Sequence, residues 1–225
     1  MTRKTYARIA GFTFIFYIAA GISQMMLHGQ ATAGEGTAAK LANIAAHTSE
    51  FGGAIILDLL CCFFALILAV SLYAITRDEE HDLAIFGLAC RVGEGVIGAA
   101  NLPKTLALFW LATAGDKIPD AASVSAIGSY LLMPVGSSTV SAVFFAVGST
   151  VFSYLFLRGR MIPQVLAWLG ILASVLLVGF LPMQLARVVS ANWFVWMPML
   201  VFELVLAVWL IVKGVAGKSE IAVSK

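Results

Sequence analysis

Long apolar stretches, separated by short polar turns, follow one another along the whole chain. Six of them reach the length of about 20 residues that a helix needs to cross the hydrocarbon core of a bilayer. They cover residues 6–27, 51–75, 83–112, 133–157, 164–187 and 194–212. None shows the alternation of polar and apolar residues that is typical of a membrane β-barrel strand. The pattern therefore predicts an all-α fold, a polytopic bundle of six transmembrane helices.

Two segments between the spans are helical in pattern but too short to cross a membrane. Residues 38–50 carry apolar side chains at helical spacing, and they either extend the second span outward or lie on the outer surface. Residues 121–132 are too many for a bare turn, and Pro134 would separate them from the fourth span. We expect both segments to cap the outer end of the bundle, with a lid as the alternative. Residues 1–225 are expected to form a single domain.

Composition agrees with a membrane domain. Hydrophobic residues make up 61% of the 225 residues and charged residues only 12%, against about 25% charged residues in soluble domains. The net charge of +2 lacks the basic excess of a nucleic-acid-binding protein, so nucleic acid is excluded as a partner. The expected partner is the lipid bilayer. A small-molecule or ion ligand, a second copy of the chain and a membrane complex stay open.

Basic residues divide unevenly between the two ends of the predicted spans. One end would carry Arg3, Lys4, Arg8, Arg77, Arg158, Arg160, Lys213, Lys218 and Lys225. The other end would carry Lys40, Lys104, Lys117 and Arg187. Cytoplasmic loops of membrane proteins carry an excess of lysine and arginine. We therefore predict a multi-pass protein of the inner (cytoplasmic) membrane with both termini in the cytoplasm.

The start of the chain also has features of a signal peptide. Basic residues precede an apolar run, and residues 31–33 (ATA) have the small-x-small form of a cleavage site. The apolar run of about twenty residues is longer than the apolar region of a typical signal peptide. We therefore expect an uncleaved first span, whereas cleavage would leave five spans.

Four ionisable residues lie inside the predicted spans: Asp58, Arg91, Glu94 and Glu203. Each costs a few kcal/mol in a bilayer, so such residues face the bundle interior and find partners there. Arg91 and Glu94 are one helical turn apart and can pair directly. At a rise of 1.5 Å per residue, the three carboxyl groups can share one level near the middle of the membrane. Three acids and one arginine leave an excess of negative charge that a proton or a cation would balance.

Further polar residues follow the same helix faces. Tyr17 and Gln24 fall on one face of the first span, and Asn101 continues the stripe that Arg91 and Glu94 begin. We therefore expect an intramembrane polar site that is open towards the outer side. Its members would be Arg91, Glu94, Asp58, Glu203, Asn101, Tyr17 and Gln24. In the alternative interpretation, these residues only hold helices together by polar contacts.

His28, His47 and Glu50 lie near the outer end of the predicted bundle. Two histidines and a carboxylate suit a divalent metal such as zinc. Satisfied polar side chains at a helix start are commoner, so no cofactor is predicted and the divalent metal is kept as a lesser alternative. The sequence holds no phosphate-cradling glycine loop and no Gly-x-Ser-x-Gly motif. An enzyme would therefore have no identifiable nucleophile.

Serine and tryptophan side chains near the outer end are expected to have structural roles. Ser138 and Ser141 are expected to pack helices or bond to backbone rather than to act as nucleophiles. Trp110, Trp193 and Trp196 are expected to belong to the aromatic belt at the membrane surface.

Several short sequences are characteristic when taken together. They are residues 8–11 (RIAG), residues 71–73 (SLY), the pattern Arg91-x-x-Glu94, and residues 148–170 (GSTVFSYLFLRGRMIPQVLAWLG). In these positions the chain resembles the bacterial membrane proteins of the domain-of-unknown-function family 4386. The resemblance implies an integral membrane protein of six helices whose biochemical activity is not established. It implies no catalytic or ligand-binding residues.

Three functions stay open on these grounds. The favoured one is a small-molecule or ion-handling membrane protein in which Glu94, Asp58 and Glu203 take up a proton or a cation. The second is a non-catalytic membrane subunit or sensor whose buried charges specify helix pairing. The third is a membrane enzyme that depends on a metal at the outer face.

Overall fold

Helices make up the regular structure of the described part of the chain. The structure, a computed structural model, describes residues 1–115, 120–133 and 137–216. In these ranges the helices are α1 (Arg3–Ala31), α2 (Gly36–Ala46), α3 (Thr48–Thr76), α4 (His81–Ala99), α5 (Leu102–Thr113), α6 (Ala121–Leu131), α7 (Ser137–Arg158), α8 (Gln164–Leu185) and α9 (Met197–Val212). A 3₁₀ turn, Trp193–Trp196, precedes α9. The all-α prediction is confirmed.

Within the described residues, six helical stretches are long and apolar enough to cross a membrane. They are α1, α3, α4 together with α5, α7, α8, and α9 together with its 3₁₀ turn. The prediction of six spans is therefore confirmed, although some of their bounds are corrected. The first span reaches Ala31, the fifth ends at Leu185, and Met133 lies outside the helix of the fourth. Predictions that involve Lys117, Pro134, Lys218 and Lys225 fall outside the described residues.

The six spans are arranged in a closed ring. Around it, α1 contacts α3, α3 contacts α4, α4 contacts α7, α7 contacts α8, α8 contacts α9, and α9 returns to α1. The contact between α1 and α9 is especially close at Gly11, where a Cβ atom would lie 2.7 Å from the backbone oxygen of Ala207. Glycine at this position lets the two backbones approach, as small residues do in many membrane helix pairs.

The third span is broken in its second half, between α4 and α5. α4 ends at Ala99 and α5 begins at Leu102. Pro103 explains the break, because it has no N–H to donate and its ring collides with the carbonyl of the residue four positions earlier. The side-chain amide of Asn101 donates to the Ile97 carbonyl at 3.2 Å and so satisfies one of the freed acceptors. The polar stripe of this span is therefore continuous in sequence but bent in space.

Two short helices of the described chain, α2 and α6, cap one end of the ring and pack there against α5 of the third span. α2, α5 and α6 contact one another around a small apolar core that includes Leu41, Ile44 and Leu111. Residues 38–50 do not extend the second span as one continuous helix, because the backbone of His47 leaves the helical region at φ −122° and ψ 48°. The expectation of short helical segments at this end is confirmed.

A side-chain cap fixes the start of α6. The carboxylate of Asp120 accepts hydrogen bonds from the backbone N–H groups of Ala122 and Ser123, at 3.1 and 3.0 Å. The Ser123 hydroxyl donates to the same carboxylate at 2.7 Å. These bonds, above all those from Ser123, hold the pKa of Asp120 below its ordinary value because they favour the charged form. This arrangement is a typical N-cap.

Basic residues gather at the opposite end of the ring. There, Arg3 Nε donates to the Ile75 carbonyl at 2.8 Å, and Arg158 forms an ion pair with Glu80 at 2.8 Å. The backbone N–H of Ala216 donates to the Met161 carbonyl at 3.1 Å, which holds the segment after α9 against the turn between α7 and α8. The structure thus brings together the chain segments that carry the larger set of basic residues.

Candidate functional site

An ion pair lies inside the helix ring, on α4. Arg91 and Glu94 are only 1% and 4% exposed, and Nη1 of Arg91 lies 2.9 Å from Oε2 of Glu94. The two residues are one helical turn apart, so the helix itself brings them together. Room for the arginine comes from Gly148 on α7, where a Cβ atom would lie 3.0 Å from Cγ of Arg91. The pairing expected from the sequence is present.

Side chains from α1 and α7 complete the surroundings of this pair. The Tyr17 hydroxyl donates to Oε1 of Glu94 at 2.7 Å, a short distance typical of a bond to a carboxylate. Cζ of Arg91 lies 4.9 Å from the centre of the Phe145 ring, in the range of a cation–π contact. Ser141 donates to the backbone oxygen of Glu94 at 2.8 Å, as its interpretation as a backbone-bonding residue predicts.

The guanidinium of Arg91 is not fully satisfied by these contacts. Among the described residues, neither Nε nor Nη2 has a hydrogen-bond partner. The contact of Nη1 with Glu94 is close enough for an ion pair, but it lacks the direction of a hydrogen bond. Arg91 therefore keeps donor capacity that it does not use within the described part of the chain.

Glu203 on α9 is the second carboxylate of the site. It is 7% exposed and lies within electrostatic range of both Arg91 and Glu94. In the described residues it makes neither a hydrogen bond nor an ion pair. Arg91, Glu94 and Glu203 together hold one positive and two negative charges when ionised. The group therefore carries one negative charge in excess, at a depth where an uncompensated charge is costly.

Glu94 and Glu203 both line a cavity of about 270 Å³. Its walls come from α1, α4, α7, the 3₁₀ turn and α9, and they are mostly apolar. The lining residues are Tyr17, Ile22, Glu94, Ser138, Ser141, Ala142, Phe145, Trp193, Trp196, Met197, Met199, Leu200 and Glu203. An apolar cavity with a few convergent polar groups is the usual form of a small-molecule site. We call it the carboxylate cavity.

Two tryptophans assigned to the membrane-surface belt also line this cavity. Trp193 is 56% exposed, which agrees with a position in the belt. Trp196 is half-buried, and its ring centre lies 6.1 Å from that of Phe145. The 3₁₀ turn that rotates Trp196 inward carries no sequence signal of its own. Sequence reasoning therefore missed Trp196 and Phe145 as residues of the site.

A second cavity of about 660 Å³ adjoins the first and holds the other predicted polar residues. Asp58, Gln24 and Asn101 line it, together with His28, Lys40 and Lys104. Ser138 and Ser141 belong to both cavities and mark the boundary between them. We call this second space the outer vestibule, where outer means farther from the Arg91–Glu94 pair. The structure therefore divides the predicted single site in two, with Tyr17, Arg91, Glu94 and Glu203 around the inner part.

Asp58 therefore does not line the carboxylate cavity with Glu94, although its depth in the span predicted that the two carboxyl groups would share one site. It is half-buried, and it forms no ion pair among the described residues. The depth of a residue in its span follows from sequence, but the rotation of α3 about its own axis depends on packing. Asp58 faces the outer vestibule for this reason.

His28, His47 and Glu50, the residues of the possible metal site, are not placed around a common point. The ring of His28 packs against Phe51 at 5.5 Å, and Nδ1 of His47 lies 3.0 Å from the Asn43 carbonyl. Across residues 1–115, 120–133 and 137–216, no three His, Cys, Asp or Glu side chains are placed to hold a metal ion. The geometry thus gives no support to a metal centre of His28, His47 and Glu50.

A ring of six apolar helices around buried charged residues defines an integral membrane protein of the multi-pass helical class. Residues 9–214 match the family described as Domain of unknown function (DUF4386), so the chain belongs to that family. Curated proteins and solved structures provide no match to the chain.

Proposed function

We propose that this protein handles a small molecule or an ion in the carboxylate cavity, and that its activity is linked to a proton or a cation. The observation that carries the proposal is Glu203, a buried carboxylate without a partner among the described residues, beside an ion pair that is already neutral. One proton or one positive charge on a ligand would balance it. The charges of the nearby Arg91–Glu94 pair influence how strongly Glu203 binds the proton or the cation.

The lining of the cavity favours a ligand with a cationic group and an apolar body. Aromatic rings of Tyr17, Phe145, Trp193 and Trp196 lie around the carboxylates. Aromatic faces and carboxylates are the groups that bind quaternary ammonium ions in other proteins. The volume of about 270 Å³ is close to the lower end of the range for ligand pockets and limits the ligand to a small one.

Calorimetric titration of the purified protein with tetramethylammonium tests this proposal. Glu203→Gln should weaken binding at least tenfold, since it removes the charge that the cation balances while it keeps the shape of the side chain. Asp58→Asn is the matched control, because it removes a carboxylate from the outer vestibule only. Equal effects of the two substitutions, or none in either, would contradict the proposal.

The proposed location is the inner membrane, with both ends of the described chain in the cytoplasm. Support comes from the end of the ring that carries Arg3, Arg158 and Lys213, since basic residues accumulate on the cytoplasmic side of such proteins. The outer vestibule, which Lys40 and Lys104 line, would then face the opposite side. The carboxylate cavity would be reached from that side, past Trp193.

A further inference from the structure

A basic cleft lies at the end of the ring opposite to the outer vestibule. It has a volume of about 400 Å³, and Lys4, Arg160 and Lys213 line it together with Trp209. The three basic residues come from the start of α1, from the turn between α7 and α8, and from the end of α9. No acidic residue lines the cleft among the described residues. Three positive charges from separate segments therefore meet in a cleft whose described lining carries no acidic side chain. The carboxyl group of Glu79 lies nearby, since a Cβ atom at Gly159 would be 2.9 Å from its Cδ.

The backbone brings these segments together by specific contacts. Ala216 donates to the Met161 carbonyl at 3.1 Å, which joins the segment after α9 to the turn after α7. Gly214 has a φ of 73° and lies close to Lys4. A Cβ atom built on Gly214 would be 3.9 Å from Cγ of that lysine. The fold thus holds the three segments side by side, and the side chains of Lys4, Arg160 and Lys213 are exposed at their common surface.

Arg160 occupies an unusual backbone position for an arginine. Its φ of 47° lies in the left-handed region, and Met161 donates to the Phe156 carbonyl at 3.0 Å to close the end of α7. Glycine is the usual residue at this position of a helix end, because it adopts positive φ without strain. The chain therefore tolerates strain at the point where an arginine side chain enters the cleft.

The surroundings of the cleft are those of a membrane surface. The cleft lies at the ends of four spans, α1, α7, α8 and α9. Its lining includes Trp209, and tryptophan is enriched at the level of the lipid headgroups. α8 starts at the cleft wall beside Pro163 and has no side-chain cap. The positive end of its helix dipole adds to the attraction for an anion.

We propose that this basic cleft binds the phosphate of an acidic phospholipid headgroup, with Lys4, Arg160 and Lys213 as its cationic ligands. Basic pockets between membrane helices recognise such headgroups through charge-assisted hydrogen bonds to phosphate oxygens. The acyl chains would lie along the apolar outer surface of the helices. This inference does not depend on the function proposed for the carboxylate cavity.

Native mass spectrometry of the full chain, titrated with phosphatidylglycerol or phosphatidylcholine, tests the inference. Wild-type protein should retain phosphatidylglycerol in preference to phosphatidylcholine. Arg160→Gly and Lys213→Gln should each weaken phosphatidylglycerol binding about fivefold. Arg160→Gly also relieves backbone strain, so its fold is expected to be at least as stable as that of wild type, and loss of lipid cannot be attributed to unfolding.

Arg187→Gly is the matched control. Arg187 likewise has a positive φ, of 59°, and follows the end of α8 at the opposite end of the ring, so the substitution removes the same charge and the same strain. It should leave phosphatidylglycerol binding unchanged. Equal loss in Arg160→Gly and Arg187→Gly would overturn the assignment of the cleft, as would equal retention of the two lipids by wild type.

Inorganic phosphate serves as the second probe. If the ligand is a lipid, phosphate at the same concentration should not displace phosphatidylglycerol, because it lacks acyl chains. If phosphate displaces the lipid at that concentration, the cleft binds a free phosphate compound and the lipid assignment is overturned.

Discussion

At the scale of single residues, the central feature of the site is the charged side chain of Arg91, which is 1% exposed within a membrane-spanning helix. Its charge is held there by Glu94 at 2.9 Å and by the face of the Phe145 ring. Glu94 is in turn fixed by the Tyr17 hydroxyl. Each partner therefore depends on the other for its stability in the interior.

Arg91→Met is expected to destabilise the fold by about 3–5 kcal/mol, because it leaves the carboxylate of Glu94 buried without its partner. The double variant Arg91→Met/Glu94→Met should recover most of that loss, since it removes both charges. Unfolding in a titration with sodium dodecyl sulfate, monitored by helical circular dichroism, measures both. If the double variant is no more stable than the single one, Arg91 and Glu94 do not stabilise each other's charge in the interior.

The residues of the site could be predicted from sequence only in part. The spacing of Arg91 and Glu94 on one helix predicts their pairing, because it depends on helix geometry alone. The rotation of α3, which turns Asp58 towards the outer vestibule, depends on how several helices pack together. The same holds for Trp196, because the 3₁₀ turn that directs it towards Phe145 has no distinctive sequence.

At the scale of helices, close contact between α1 and α9 closes the ring. Gly11→Ala should cost about 1–3 kcal/mol, because the new methyl group would lie 2.7 Å from the Ala207 carbonyl oxygen and would push two backbones apart. Gly21→Ala on the same helix is the control, since no atom lies within 4 Å of its Cβ position. It should be neutral or slightly stabilising.

The same detergent titration compares the two glycine variants. If Gly11→Ala is as stable as Gly21→Ala, the contact between α1 and α9 is looser than described. A lower stability of Gly11→Ala alone would support the closed ring.

The six spans were predictable because their signal is the length of an apolar run, which bilayer thickness sets. The break in the third span has a visible cause in Pro103. The separation of α2 from α3 at His47 has no such cause, since neither glycine nor proline stands there. At this point α2 leaves the direction of α3 and packs against α5 and α6.

At the scale of the whole molecule, the ring holds two adjoining cavities towards one end and a basic cleft at the other. The carboxylate cavity has an excess of one negative charge, and the cleft has three positive charges that its lining does not balance. This division assigns different chemistry to the two ends. A proton or small cation suits the cavity, and an anionic headgroup suits the cleft.

The central claim is that Glu203 balances its charge by taking up a proton or a cation. Infrared difference spectroscopy of the protein in lipid bilayers, recorded at several pH values and with and without tetramethylammonium, tests this claim most directly. We predict a carboxylic-acid C=O band that decreases when the cation is added, that is absent from Glu203→Gln, and that persists in Asp58→Asn. A spectrum in which neither pH nor the cation alters any band that depends on Glu203 would contradict the account.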